Sequence, residues 1–286
     1  VVLIGFASDE GVRRNGGRIG ARHGPDAFRK QLAKLPYRLG ASFADAGTVA
    51  CQGEDLESAA TRLESIVAKV IKTPGHLPLV IGGGHEVAWG TYLGVATKCR
   101  QDNQRLGIIN FDAHFDLRDK INGKGHSGSA FLQIAQDRSS RGEPFDYLCL
   151  GIQPLSNHDQ LFARAKSLGA QWVEGADLRS HEAQETIKSF LDKVDTVMLT
   201  ICLDVLHQSV APGVSAPQPL GIFPTELIQT ARAILASHKV IALEVAELCP
   251  PYDGPVGIDG TQSLETARLA AACTATMLET AFPKNK

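Results

Sequence analysis

The sequence predicts an α/β protein, folded as one doubly wound domain over residues 1–286, and three observations predict it. Short apolar runs of strand length alternate with longer segments of helical spacing along the whole chain. Several of the short runs, VMLTICL above all, are almost continuously apolar, as strands buried on both faces of a parallel sheet must be. No linker, composition break or internal repeat divides the chain.

The strand-like runs are Val1 to Phe6, Ala46 to Ala50, Leu77 to Ile81, Leu106 to Phe111, Tyr147 to Ile152, Ala170 to Val173, Thr196 to Leu203 and Val240 to Val245. Each is short and rich in Val, Ile, Leu, Phe or Tyr, or ends at a glycine, proline or polar turn. Between them, Glu54 to Lys72, His158 to Leu168, Glu182 to Val194, Thr225 to Ala236 and Leu264 to Phe282 carry apolar residues at helical spacing. A further helix opens at His85 and Glu86. The chain begins inside a strand-like run without an initiator Met, so the natural chain is expected to extend upstream. In a doubly wound sheet, ligands gather at the carboxyl ends of the strands.

Composition narrows the function classes. Apolar residues make up 43% and charged residues 21% of the chain, which excludes disorder and coiled coil and fits a globular protein. Twenty-nine basic against 31 acidic residues leave a net charge of −2 without a basic stripe, so nucleic acid is not expected as a partner. No apolar stretch reaches the roughly 18 residues of a membrane span, so no membrane partner is expected either. The cysteines, Cys51, Cys99, Cys149, Cys202, Cys249 and Cys273, lack paired spacing, which favours reduced thiols and a cytoplasmic location.

Four strand ends carry the residues suited to chemistry. In GIINFDAHFDLR, Asp112, His114 and Asp116 follow an apolar run at intervals of two. If the segment stays extended, all three side chains face one side and Ala113 and Phe115 the other, a set suited to a divalent metal ion. The alternative is a strand that simply ends in polar residues at the surface. LPLVIGGGHE presents His85 after three glycines; the loop lacks both the GxGxxG pattern and a P-loop lysine, so a ligand role for His85 fits better than phosphate binding. TVMLTICLD ends with Cys202 and Asp204, and Asp204, the only charged residue from Val197 to Leu206, calls for a partner such as a metal ion. In VIALEVAE, Glu247 lies beyond the apolar run and faces the same crevice, whereas Glu244 reads as a packing contact of strand or helix.

GGGHE, NFDAHFD, SGSAF, LDV with APGVSAP, and VAE with its following prolines resemble, in order and spacing, the ureohydrolase (arginase and agmatinase) superfamily. DAHFDLR and the opening RNGGRIGARHGP are most similar to its formimidoylglutamase subgroup. The resemblance implies a three-layer α/β/α sandwich with an eight-stranded parallel sheet, a homo-oligomer, and a binuclear Mn²⁺ cluster. It implies one ion on His85, Asp112, Asp116 and residue 202, and the other on Asp112, His114, residue 202 and Asp204. Asp204 would also hold the attacking hydroxide and carry its proton, Glu247 would face the substrate cation, and Arg118 and Ser127 would lie where substrate is bound. The implied reaction is hydrolysis of N-formimino-L-glutamate to L-glutamate and formamide, in histidine degradation. An arginase-like or guanidino-acid hydrolase is the alternative.

Two positions depart from the superfamily pattern; the first, Ser127 where arginases carry a histidine, resembles formimidoylglutamases, and the second does not. Where the family carries a bridging Asp the chain has Cys202, so the second ion is in doubt, and a metal-impaired, non-catalytic relative is a further alternative. A thiolate there would favour Zn²⁺ over Mn²⁺, while a neutral thiol would be inert core.

Overall fold

The computed structural model describes residues 1–254 and 263–284. Among them are eight strands: β1 (Val2–Ala7), β2 (Ala44–Ala50), β3 (Pro78–Ile81), β4 (Leu106–Phe111), β5 (Tyr147–Ile152), β6 (Gln171–Glu174), β7 (Thr196–Cys202) and β8 (Val240–Ala246). All pair in parallel in the order β2-β1-β3-β8-β7-β4-β5-β6. The helices are α1 (Glu10–Arg14), α2 (Gly24–Leu32), α3 (Leu56–Ile71), α4 (Val87–Gln101), α5 (Ala130–Ser140), α6 (Asp159–Ser167), α7 (His181–Lys193), α8 (Pro224–Leu235) and α9 (Glu265–Ala281).

Each strand run read from the sequence is a strand here, with no end shifted by more than two residues. Alternate side chains of the inner strands enter two separate cores. Ile109 and Phe111 of β4 and Leu199 and Ile201 of β7 pack under α2, α7, α8 and α9. Ile108 of β4 and Met198 of β7 pack under α3, α4, α5 and α6 on the opposite face. This is the expected three-layer α/β/α sandwich, and it explains the near-continuous apolar runs: both faces of the sheet are dry. The edge strand β2 is the exception, with its first five residues exposed.

Helices α1, α2 and α5 were not anticipated. They are short, and α5 buries Gln133 and Arg138 along with its apolar residues, so no clean apolar stripe marks it. Among the described residues no helix is long and apolar enough to cross a membrane. All six cysteines are free and buried.

The sheet order decides where a site can form. β3 and β4 follow each other in the chain but are separated in the sheet by β8 and β7. The loops leaving β3, β8, β7 and β4 therefore lie side by side at one edge, around the point where the winding reverses.

Candidate active site

The loop after β3 continues the pairing of the sheet before it releases His85. Gly82 N–H donates to Val245 O, and Gly83 O accepts from Glu247 N–H at 2.8 Å. Gly83 packs so closely on the Ser8 carbonyl that a Cβ there would collide with it. This draws the ends of β1, β3 and β8 together, and His85 N–H donates to Glu247 Oε1 at 2.9 Å.

The segment after β4 is not the extended run the spacing suggested. The strand stops at Phe111, and Asp116 has a φ of 49°. Asn157 holds the intervening loop, donating to Ala113 O and accepting from Phe115 N–H, while Phe115 packs edge-on against Phe162 and Trp172. Asp112, His114 and Asp116 still converge, but through a clamped turn. Glu247 also sits at a φ of 66°, so two site residues hold backbone conformations that non-glycine residues rarely adopt.

The six candidate ligands form two overlapping groups. His85 Nδ1 lies 2.9 Å from Asp112 Oδ2 and 3.0 Å from Asp116 Oδ2. His114 Nδ1 lies 3.4 Å from Asp112 Oδ1 and 3.2 Å from Asp204 Oδ2. Ligand atoms of His85, Asp112 and Cys202 fall within 4.8 Å of one another, as do those of Asp112, His114 and Asp204. Asp112 belongs to both groups and turns one oxygen to each. Cys202 groups with His85 and Asp112, whereas the resemblance placed residue 202 on both ions.

Among the described residues, buried His85 Nδ1 and Asp204 Oδ1 have no hydrogen-bond partner. Such orphaned donor atoms are costly unless a cation sits among them, and the residues fit a pair of divalent ions.

The electrostatics agree. Burial and the Asp112 charge push Asp116 up to about 6, and burial together with Asp112 raises Asp204. Burial would raise Asp112 too, but His114 and His85 hold it well below the usual carboxylate range. Burial and the surrounding carboxylates, Asp112 first, push the Cys202 thiol well above its ordinary value. Burial, opposed by the Ser215 hydrogen bond, pushes Glu247 up to about 8. Dications would reverse this balance, favouring the ionised carboxylates.

The family profile of arginases matches residues 1–279. The chain belongs to the arginase family. It is 42% identical to the formimidoylglutamase of Legionella pneumophila over 284 residues, covering 98% of this chain and 85% of that protein. The formimidoylglutamase of Ralstonia nicotianae is 43% identical over 291 residues, covering 99% and 86%. Among solved structures, Trypanosoma cruzi formiminoglutamase with Mn²⁺ matches at a TM-score of 0.84 and 25% identity, over 99% of this chain and 94% of that one. Bacillus subtilis arginase shares the fold at 23% identity, with a TM-score of 0.77 over 100% and 99% of the two chains.

Within this arginase-family site, the remaining expected residues lie apart from the ligand cluster. Glu247 is buried beside it, with Oε2 accepting from Ser215 Oγ at 2.6 Å. Arg118 lies exposed at the rim, donating to Asn15 Oδ1 at 3.3 Å, and Asn15 Nδ2 donates to Ser127 Oγ at 3.1 Å. Arg118 and Ser127 thus meet through Asn15, which the sequence reading did not single out. It also passed over Asn110, which holds Asp112 Oδ2 at 3.1 Å, and Gln218, 3.4 Å from His114 Nε2. Asn110 stands within the NFDAHFD run, so its position was a usable signal; Gln218 is distant in sequence and carried none.

Glu86 ties the start of α1 to this floor, accepting from Ser8 Oγ at 2.9 Å and Gly11 N–H at 3.0 Å through Oε1. Its Oε2 is buried without a partner, and burial pushes the carboxyl from 4.5 up to about 7. Because the folded value exceeds the unfolded one, this group's stabilising contribution is complete below pH 4.5 and is lost as the pH rises through about 7. For a fully buried carboxyl the loss is on the order of 3 kcal/mol. In metal-free protein, Glu86→Gln is therefore expected to shrink the fall in stability across that window. Urea midpoints measured along the pH series check it, and parallel curves for variant and parent would contradict it.

Proposed function

We propose that the protein is a binuclear Mn²⁺ hydrolase that cleaves the C–N bond of N-formimino-L-glutamate, adding water to give L-glutamate and formamide. The observation that carries this reading is Asp112, whose two oxygens face separate ligand groups, one with His85 and Cys202 and one with His114 and Asp204. The 42% and 43% identical relatives named formimidoylglutamase support the substrate over a guanidino compound. The free, buried thiols fit work in the cytoplasm, where histidine degradation would use it.

His85, Asp112, Asp116 and Cys202 would hold one ion, and Asp112, His114 and Asp204 the other. Bound there, the ions supply hydroxide at neutral pH. Asp204 Oδ1, buried and otherwise unpartnered, holds the proton lost as the new C–O bond forms and delivers it to the glutamate nitrogen as the C–N bond breaks. Glu247, steadied by the His85 amide and Ser215, pairs with the amidinium and keeps its carbon in line. The cation of the substrate in turn favours the ionised form of that carboxyl.

Arg118 and Ser127, joined by Asn15 at the rim, receive the far end of the substrate, where N-formimino-L-glutamate carries its side-chain carboxylate. That contact is equal in the ground and transition states, so Arg118→Ala should raise KM by about tenfold and leave kcat nearly unchanged. Steady-state kinetics with N-formimino-L-glutamate test it; an unaltered KM would make Arg118 an ordinary surface residue.

A further inference from the structure

His85 faces the ligand cluster through Nδ1, and its other ring nitrogen points into the sheet. Nε2 lies 3.0 Å from Thr200 Oγ1, the Thr200 hydroxyl donates to Glu244 Oε1 at 2.8 Å, and the Thr91 hydroxyl of α4 donates to Glu244 Oε2. His85 is 1% exposed, and Thr91, Thr200 and Glu244 are fully buried. The arrangement follows from strand register, since Glu244 of β8 pairs with Thr200 of β7 on one side and Val80 of β3 on the other. A carboxyl in the middle of the apolar strand VIALEVA is costly unless its acceptors are filled, and here two hydroxyls fill them. Glu244 is therefore more than the packing contact expected from sequence.

Donor directions settle the rest. Thr200 has a single O–H, and it goes to Glu244, so towards His85 the hydroxyl oxygen can only accept. His85 must carry a proton on Nε2, which turns Nδ1 towards Asp112 and Asp116 and makes it the atom that an ion would take. Phe131 closes edge-on against the imidazole, with ring centroids 5.2 Å apart, and restricts its rotation.

We propose that Thr200 and Glu244 are positioning residues that fix the tautomer and orientation of His85 and so set the affinity of the His85 side of the centre for its ion. The proposal rests on the reading of this cluster as a metal centre. An outer partner of a ligating imidazole is worth about ten- to hundredfold in metal affinity. Thr200→Val removes the acceptor while keeping the shape; Thr200→Ser restores it.

Titrating parent and variants with Mn²⁺, with free ion followed by electron paramagnetic resonance, tests this. In Thr200→Val the ion on the His85 side should bind about ten- to hundredfold more weakly, the ion on the His114 side should bind as in the parent, and Thr200→Ser should return to parental binding. A purely structural hydroxyl would leave both affinities unchanged or weaken both equally, and either result overturns the relay. Nitrogen-15 spectra of the metal-free parent give a second readout that does not depend on the variant folding. The His85 Nε2 should carry a hydrogen donated to Thr200, and an Nε2 without one overturns the proposal. A parent that binds no Mn²⁺ at all overturns the metal-centre reading itself, which the same titration distinguishes from failure of the relay.

Discussion

Asp112→Ala is expected to remove both metal ions and bring hydrolysis to background while the sheet stays folded. Each oxygen of this carboxylate faces a different ligand group, Oδ2 towards His85 and Oδ1 towards His114, so its loss takes one donor from each ion at once. Among the described residues no other ligand is shared between the two groups. Polarisation by the ions contributes several kcal/mol to such a reaction, and each 1.36 kcal/mol is tenfold in rate, so turnover should fall by about a thousandfold or more. The fold tolerates the change because two effects oppose each other. Asp112 gives up hydrogen bonds from His114 N–H at 2.8 Å and from Asn110, and in exchange the crowding against Asp116 and Asp204 is relieved. Metal analysis, circular dichroism and formamide release on one preparation check all three parts. A variant that keeps two ions, or keeps its activity, contradicts the assignment.

Cys202→Asp should have the second largest effect, in the direction of gain. The thiol stands among the ligand atoms of His85 and Asp112, yet burial and the neighbouring carboxylates keep it protonated until a metal displaces the proton. A neutral thiol contributes no charge to a hard ion, and its sulfur groups with the His85 and Asp112 ligand atoms. The parent should therefore bind one Mn²⁺ tightly with Asp112, His114 and Asp204, and a second more weakly beside His85. An aspartate there should tighten the second ion by about tenfold or more and raise the rate at limiting Mn²⁺. The resemblance places residue 202 on both ions; the observed grouping puts the gain chiefly on the His85 side. If instead a thiolate ligates, Zn²⁺ will bind more tightly to the parent than to the variant. Parallel titrations with Mn²⁺ and Zn²⁺ under reducing conditions separate the two outcomes.

Much of this fold was legible because strands dry on both faces, such as β4, β5 and β7, leave runs of apolar residues that a helix pattern does not produce. The ligand residues were legible for a related reason: each charged or imidazole side chain stands just beyond such a run, where a doubly wound sheet opens its crevice. The clamped turn at Asp116 was not, since it depends on Asn157 and the aromatic packing of Phe115. Nor was the link from His85 through Thr200 to Glu244. Residues 85, 200 and 244 lie far apart in the chain and meet only through the register of β3, β8 and β7. Lateral pairing of that kind leaves no periodic mark on one sequence.

The most direct test of a binuclear formimidoylglutamate hydrolase is to add Mn²⁺ stepwise to chelator-treated protein and follow formamide released from N-formimino-L-glutamate. Turnover should be absent without metal, stay low after the first ion, and rise to its maximum as binding approaches two ions per chain. Full activity in the chelator-treated protein, or no formamide with both ions bound, would contradict it.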